Sequence, residues 1–305
     1  MDDAATIPAA PTEPASPLTL RAGDLEVRLL PAVGGCIARF DRIVGDRRQP
    51  LLRGTDRAIA DVGDSACFPL VPFANRIRGG RFTCDGRVVT LAPNMAGDAS
   101  PLHGQGWRAA WAVRQAGGNH ATLTFHHAAG EWPWAYEATN RITLDERGLS
   151  LELSCRNLSA ERMPCGLGYH PYYPCDDDTV LDTAVASAWT VDAAVLPVDN
   201  VPATGRYDLR HRRVCGQGLD NGFDGWGGEA SIVWPGEGAS LRLSSPDAGR
   251  FQLYSPPAGG LFVAEPVQNA NAALNATQAE WPALGLTLLE QGQARALNAR
   301  FEVVV

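Results

Sequence analysis

Apolar side chains recur at every second position through most of this chain, and that period commits it to strands. Leu149, Leu151, Leu153 and Cys155 alternate with Ser150, Glu152, Ser154 and Arg156, the pattern of a strand buried on one face and wet on the other. Turn signals separate such runs. Trp111 to Val113 and Ala121 to Phe125 flank Gly117-Gly118-Asn119. Tyr136 to Leu144 and Leu149 to Cys155 flank Asp145 to Gly148, and Ser231 to Trp234 and Ser240 to Leu243 flank Pro235 to Gly238. Each reads as an antiparallel hairpin. Helical periodicity is nearly absent, and 32 glycines with 22 prolines punctuate the chain too often for long helices. The expected fold class is all-β, a large antiparallel β-sandwich.

The chain has 305 residues, 45% of them apolar, enough for one substantial core. Residues 1–17 are rich in Ala, Pro and Thr with nothing to bury and read as a disordered tail; 18–305 reads as a single domain without internal repeats. A net charge of −8 with no run of Lys or Arg excludes an electrostatic footprint for nucleic acid or an anionic membrane. Small neutral or cationic partners fit better. Seven scattered cysteines without a C-x-x-C pair read as reduced, mostly buried thiols. The N-terminus lacks the basic start and apolar core of a secretory signal, and no apolar run is long enough to span a membrane. The expected location is cytoplasmic, so the sequons at Asn157 and Asn275 should carry no glycan.

Five stretches combine reactive side chains with rigid neighbours. In GLGYHPYYP (Gly166 to Pro174), proline excludes helix and pushes the preceding residue toward extended backbone, so His170 is held and aimed. A bland alternative is a buried histidine satisfied by backbone. In LFVAEPVQNA, Glu265 ends an apolar run, where burial raises a carboxyl toward the range of a general base at neutral pH; an exposed strand-end glutamate is the plain alternative. His103 lies in a turn at Pro101 to Gly104, and Asn75 and Arg76 follow the apolar stretch Phe68 to Phe73. Arg76 offers five fixed donors suited to vicinal hydroxyls or an anion. Asp220 can accept two hydroxyl hydrogen bonds or simply be a turn residue, and Trp226 is a candidate apolar platform for a sugar face. The run Asp176-Asp177-Asp178 lacks the spacing of a calcium loop and reads as a solvated turn, and His126-His127 point to opposite sides of a strand.

Taken together, these stretches resemble the aldose 1-epimerase family, the galactose mutarotase-like proteins. The resemblance rests on NRI at Asn75, PLHG at Pro101, GYHPYY at Gly168, LDNGF at Leu219 and AEP at Ala264, in that order, and spans roughly residues 18 to 305. It implies a mutarotase-like supersandwich with a sugar cleft on one face, His170 as general acid and Glu265 as general base. It further implies that His103, Arg76 and Asp220 hold sugar hydroxyls, with Asn75 beside them. Some members carry an asparagine where this chain has Tyr169.

The chemistry agrees. Exchanging α and β anomers requires removing the C1 hydroxyl proton while protonating the ring oxygen, rotating about C1–C2 and reversing both transfers. Each positioned transfer contributes roughly 10²–10⁴-fold, so no metal or cofactor is needed. A histidinium stabilised by nearby carboxylates would serve as the acid. The expected substrate is a free monosaccharide. A hexose-6-phosphate 1-epimerase is an alternative if Arg76, Arg78 and Arg81 converge on one cleft, and a non-catalytic carbohydrate-binding module is a second. The preferred aldose and the oligomeric state are not legible from the sequence.

Overall fold

The alternation that begins at Leu149 is realised as the strand Gly148–Asn157, whose Leu149, Leu151, Leu153 and Cys155 are buried while Arg156 is exposed. The structure is a computed structural model that describes residues 16–55 and 58–304. Most of the N-terminal tail therefore lies outside the described residues. All three expected hairpins are present: Ala112–Ala116 with His120–His127, Tyr136–Asp145 with Gly148–Asn157, and Glu229–Trp234 with Ala239–Ser244.

Among the described residues the strands assemble into an eleven-stranded sheet, a nine-stranded sheet and two two-stranded ribbons, with antiparallel pairing between the strands. Among the described residues helical structure is confined to three-residue 3₁₀ turns, in keeping with the density of glycine and proline. One apolar cluster joins the inner faces of the two large sheets. Tyr169, Phe223 and Phe262 of the larger sheet and Leu151, Leu241 and Phe301 of the smaller all belong to it. The protein is thus an all-β sandwich whose main stabilisation is the burial of these inward rows, each large side chain contributing about 1.5–3 kcal/mol. A second, smaller cluster containing Phe68, Leu70, Leu102, Trp107 and Val267 lies on the other face of the larger sheet, where loops cover it. No described helix is long and apolar enough to cross a membrane.

The reading of seven reduced thiols is corrected. Cys175 and Cys215 form a disulfide with a Cα–Cα distance of 5.7 Å across 40 residues of sequence. The two meet because Cys175 N–H donates to the Gly260 carbonyl and Gly260 N–H approaches Cys215 Sγ. That encounter depends on strand order, which cysteine spacing does not reveal. The other five cysteines are free and buried. In the acidic run, Asp176 accepts from Asp178 N–H and from Thr179 Oγ1, the bonding of a tight turn.

Candidate active site

Strand alternation aims the polar residues of the larger sheet at one face. Along Gly168–Pro174, Tyr169 and Tyr173 enter the core while His170 and Tyr172 turn the other way. Along Leu261–Val267, Phe262 and Ala264 enter the core and Glu265 turns outward; along Arg250–Ser255, Phe251 and Leu253 enter and Gln252 and Tyr254 turn outward. Leu219 and Phe223 likewise leave Asp220 and Gly222 on the outer face. Register then lines these residues up. Phe68 pairs with His170, the pairs Gly168–Val267 and Tyr172–Val263 put His170 across from Glu265, Glu265 pairs with Gln252, and Gln252 with Gly222. One row crosses five strands: Phe68, His170, Glu265, Gln252, Gly222. Gly222 has no side chain to block its end, and a Cβ there would stand 3.2 Å from Gln252 Oε1.

At the centre of the row His170 Nε2 lies 3.6 Å from Glu265 Oε1, with the two side chains 12% and 3% exposed. Phe68 stacks on the imidazole at 4.6 Å between centroids, and Tyr172 packs beside the ring at 4.7 Å and 6.3 Å from Phe68. The Arg53 guanidinium sits over the Tyr172 ring at 3.7 Å and is itself held by the Gly63 and Ser65 carbonyls. Tyr172 and Phe68 thus give the ring aromatic walls, while Tyr169 and Tyr173 anchor the strand in the core.

Two loops supply the rest. Asn75 and His103 both adopt the left-handed region, at φ 62° and 61°, a costly conformation for residues with a Cβ that persists only where the surroundings impose it. Each holds the other. His103 N–H donates to the Asn75 carbonyl at 3.0 Å, and Asn75 N–H donates to His103 Nδ1 at 3.2 Å. Nδ1 is therefore the acceptor, and the ring carries its proton on Nε2, free to donate to a ligand oxygen. Gly104 follows at φ 69°, pressed so closely on the neighbouring chain that a Cβ would lie 2.1 Å from the Val71 carbonyl oxygen. Arg76 donates through Nε to Asp98 Oδ2 at 2.7 Å, and Gln252 Nε2 donates to Asp220 Oδ1 at 2.8 Å.

All six sequence-predicted residues, His170, Glu265, Arg76, His103, Asp220 and Asn75, line one cleft of about 490 Å³. Burial dominates its electrostatics. It takes His170 down to about 3, with the Arg53 charge adding to the effect. It pushes Glu265 well above the usual carboxylate range, with the Asp220 charge adding and Arg76 opposing. Asp220 is raised by burial against the pull of Arg76, and His103 is lowered by burial with His170 and Arg76 contributing. Burial thus works against the histidinium expected from the sequence, desolvation outweighing the neighbouring acid. It favours the neutral form of both His170 and Glu265. Asn75 Nδ2, Gln252 Oε1 and Glu265 Oε2 are buried without a hydrogen-bond partner among the described residues. Such atoms are costly unless a polar ligand meets them.

Trp226 is not a sugar platform. It is buried in the core against Phe251, its Nε1 donating to Thr183 Oγ1 and the Glu229 carbonyl. Tyr169, at the position where some relatives carry asparagine, faces the core and donates to Asn140 Oδ1 at 2.8 Å, so it has no part in the cleft. Gln252, Asp98 and the aromatic floor of Phe68 and Trp107 escaped the sequence reading. Gln252 carried a signal, as the polar member between Phe251 and Leu253 in a strand; Asp98, in a loop without periodicity, carried none.

A family model for Aldose 1-epimerase matches residues 17–302. The chain is 32% identical over 234 residues to the uncharacterized protein YphB of Escherichia coli (strain K12), covering 75% of this chain and 74% of that one. It is similar in structure to a candidate aldose 1-epimerase from Escherichia coli K12, at 29% identity and a TM-score of 0.85 over 95% of this chain and 99% of the other. A galactose mutarotase-like protein from Clostridium acetobutylicum shares the fold at 16% identity, with a TM-score of 0.82 over 94% of each chain. With the family model spanning nearly the whole length, the chain belongs to the aldose 1-epimerase family.

Proposed function

We propose that the protein interconverts the α and β anomers of a free aldose, with Glu265 as general base and His170 as general acid. The observation that carries this reading is the facing of His170 Nε2 and Glu265 Oε1 at 3.6 Å on the floor of a cleft that also holds Arg76, His103 and Asp220. Sugar hydroxyls donating to Glu265 favour its ionised form, and its proton then passes to His170 Nε2. The carboxylate takes the C1 hydroxyl proton while the imidazolium protonates the ring oxygen, and the C1–O5 bond opens. Rotation about C1–C2 presents the other face of the aldehyde. Closure returns one proton to the C1 oxygen from Glu265 and takes one from the C5 hydroxyl onto His170, so each cycle ends with the pair as it began. His103 Nε2–H and the Arg76 guanidinium donate to hydroxyls, and Asp220 accepts.

The reading is tested by polarimetry of freshly dissolved α-D-glucose and α-D-galactose with wild type, His170→Asn and Glu265→Gln. Wild type is expected to accelerate equilibration, and each folded variant to lose roughly 10²–10⁴-fold. Silence of the wild type on these sugars and on a panel of other aldoses would favour a binding module. A 6-phosphate substrate is disfavoured because Arg78 and Arg81 do not line the cleft. Arg78 instead turns outward to Asp192 and the Pro197 carbonyl.

A further inference from the structure

The residues expected to grip the sugar are themselves gripped by one irregular segment, 94–98, which no strand pairing supports. Asn94 acts on His103. Its Nδ2 donates to the Leu102 carbonyl at 2.7 Å and to the Gly104 carbonyl at 3.3 Å, and its Oδ1 accepts from Leu102 N–H at 2.9 Å. One side chain thus satisfies the backbone on both sides of the strained His103, while Asn75 holds His103 itself through its N–H and ring Nδ1. Asp98 acts on Arg76. Its Oδ2 accepts from Arg76 Nε, its Oδ1 accepts from Ser100 N–H at 2.8 Å, and the two charged side chains are only 13% and 12% exposed. The bond to Nε leaves both terminal nitrogens of the guanidinium for the cleft. Between the two anchors, Met95 and Ala96 line the cleft wall.

We infer that Asn94 and Asp98 are positioning residues: Asp98 fixes the Arg76 guanidinium, and Asn94 fixes the His103 turn, in the geometry that binds the sugar hydroxyls. The inference rests on the anomer-exchange reading only for its kinetic readout. Pre-ordering a long arginine side chain removes an entropic cost that binding would otherwise bear. Its loss weakens ground state and transition state together, because neither residue touches the reacting atoms.

The test compares wild type, Asp98→Asn, Asp98→Glu, Arg76→Ala and the Asp98→Asn/Arg76→Ala double variant, using whichever aldose wild type turns over fastest. Asp98→Asn is expected to raise KM about tenfold and change kcat less than about threefold. Asp98→Glu should recover part of the loss. The double variant should match Arg76→Ala, since the two losses share one interaction. Additive losses, or a fall in kcat at unchanged KM, would overturn the inference. A readout independent of turnover is the Arg76 Nε–H resonance in ¹⁵N NMR, assigned through Arg76→Ala. It should exchange slowly in wild type and rapidly in Asp98→Asn, with the same thermal midpoint in both. Slow exchange in both proteins refutes the positioning role even if polarimetry is silent, whereas silence of wild type with the NMR difference intact refutes only the anomer-exchange reading.

Discussion

A histidine and a glutamate buried side by side have a cost that shows in stability before it shows in rate. His170 is lowered from 6.5 to about 3 by burial, so between those values the unfolded chain takes up a proton that the folded one refuses. Its contribution is present above pH 6.5 and is lost as pH falls toward 3. Replacing His170 with asparagine should flatten the fall in thermal midpoint between pH 6.5 and 4, read as the difference from wild type because His103 is depressed as well. Glu265 has the opposite sign. Its folded pKa is raised from 4.5 by burial, so stability is full below 4.5 and declines as pH climbs through the folded value. Glu265→Gln, which cannot ionise, should therefore melt higher than wild type at pH 8 while losing the activity proposed above. A melting point that drops at that pH would show the carboxylate to be well solvated or paired. Improved stability with lost rate is the usual pattern where function keeps an unfavourable group.

The elements decide how these residues come together, and here sequence and structure diverge in an instructive way. Period-two alternation identified the strands and their buried faces, because a one-residue slip would turn every apolar side chain outward. It also makes the facing of His170 and Glu265 a consequence of adjacency between Gly168–Pro174 and Leu261–Val267, strands nearly a hundred residues apart in sequence whose pairing no local pattern encodes. The family resemblance supplied the six cleft residues. It could not supply Asp98, whose role depends on an aperiodic loop reaching Arg76, nor the Cys175–Cys215 bond, which depends on where Gly260 sits. Trp226 misled because aromatic character is shared by cores and sugar platforms, and only its inward register separates them. Two predictions belong at this level. Gly104→Ala meets both a left-handed φ and a carbonyl oxygen 2.1 Å from the new Cβ, so it should lower thermal stability by several degrees and weaken sugar binding through displacement of His103. Cys215→Ser opens a 40-residue loop and should cost about 2–4 kcal/mol in urea unfolding. It should leave kcat nearly unchanged, since the bond lies outside the residues that line the cleft.

At the scale of the molecule, the proposed anomer exchange should depend on the charge of the sugar. The chain carries −8 overall, and the cleft wall sets Asp61 and Asp220 against Arg76 and Arg108. Arg76 is already engaged by Asp98, and Arg108 packs beside the Trp107 ring at 5.2 Å. A dianionic 6-phosphate thus approaches a negative body and enters a cleft where the Arg76 charge is already partly balanced by Asp98, whereas a neutral hexose pays no such electrostatic penalty. With wild type, glucose 6-phosphate is expected to show kcat/KM at least about tenfold below that of glucose at low salt, since one uncompensated close charge contact costs on the order of 1 kcal/mol or more. Raising ionic strength toward 0.5 M shortens the screening length to well under 10 Å. The phosphate's kcat/KM should then rise while that of glucose stays flat. The opposite slope, a strong phosphate rate that salt suppresses, would mean that Arg108 and Arg76 act together as an anion clamp, and would move the substrate from free to phosphorylated aldoses.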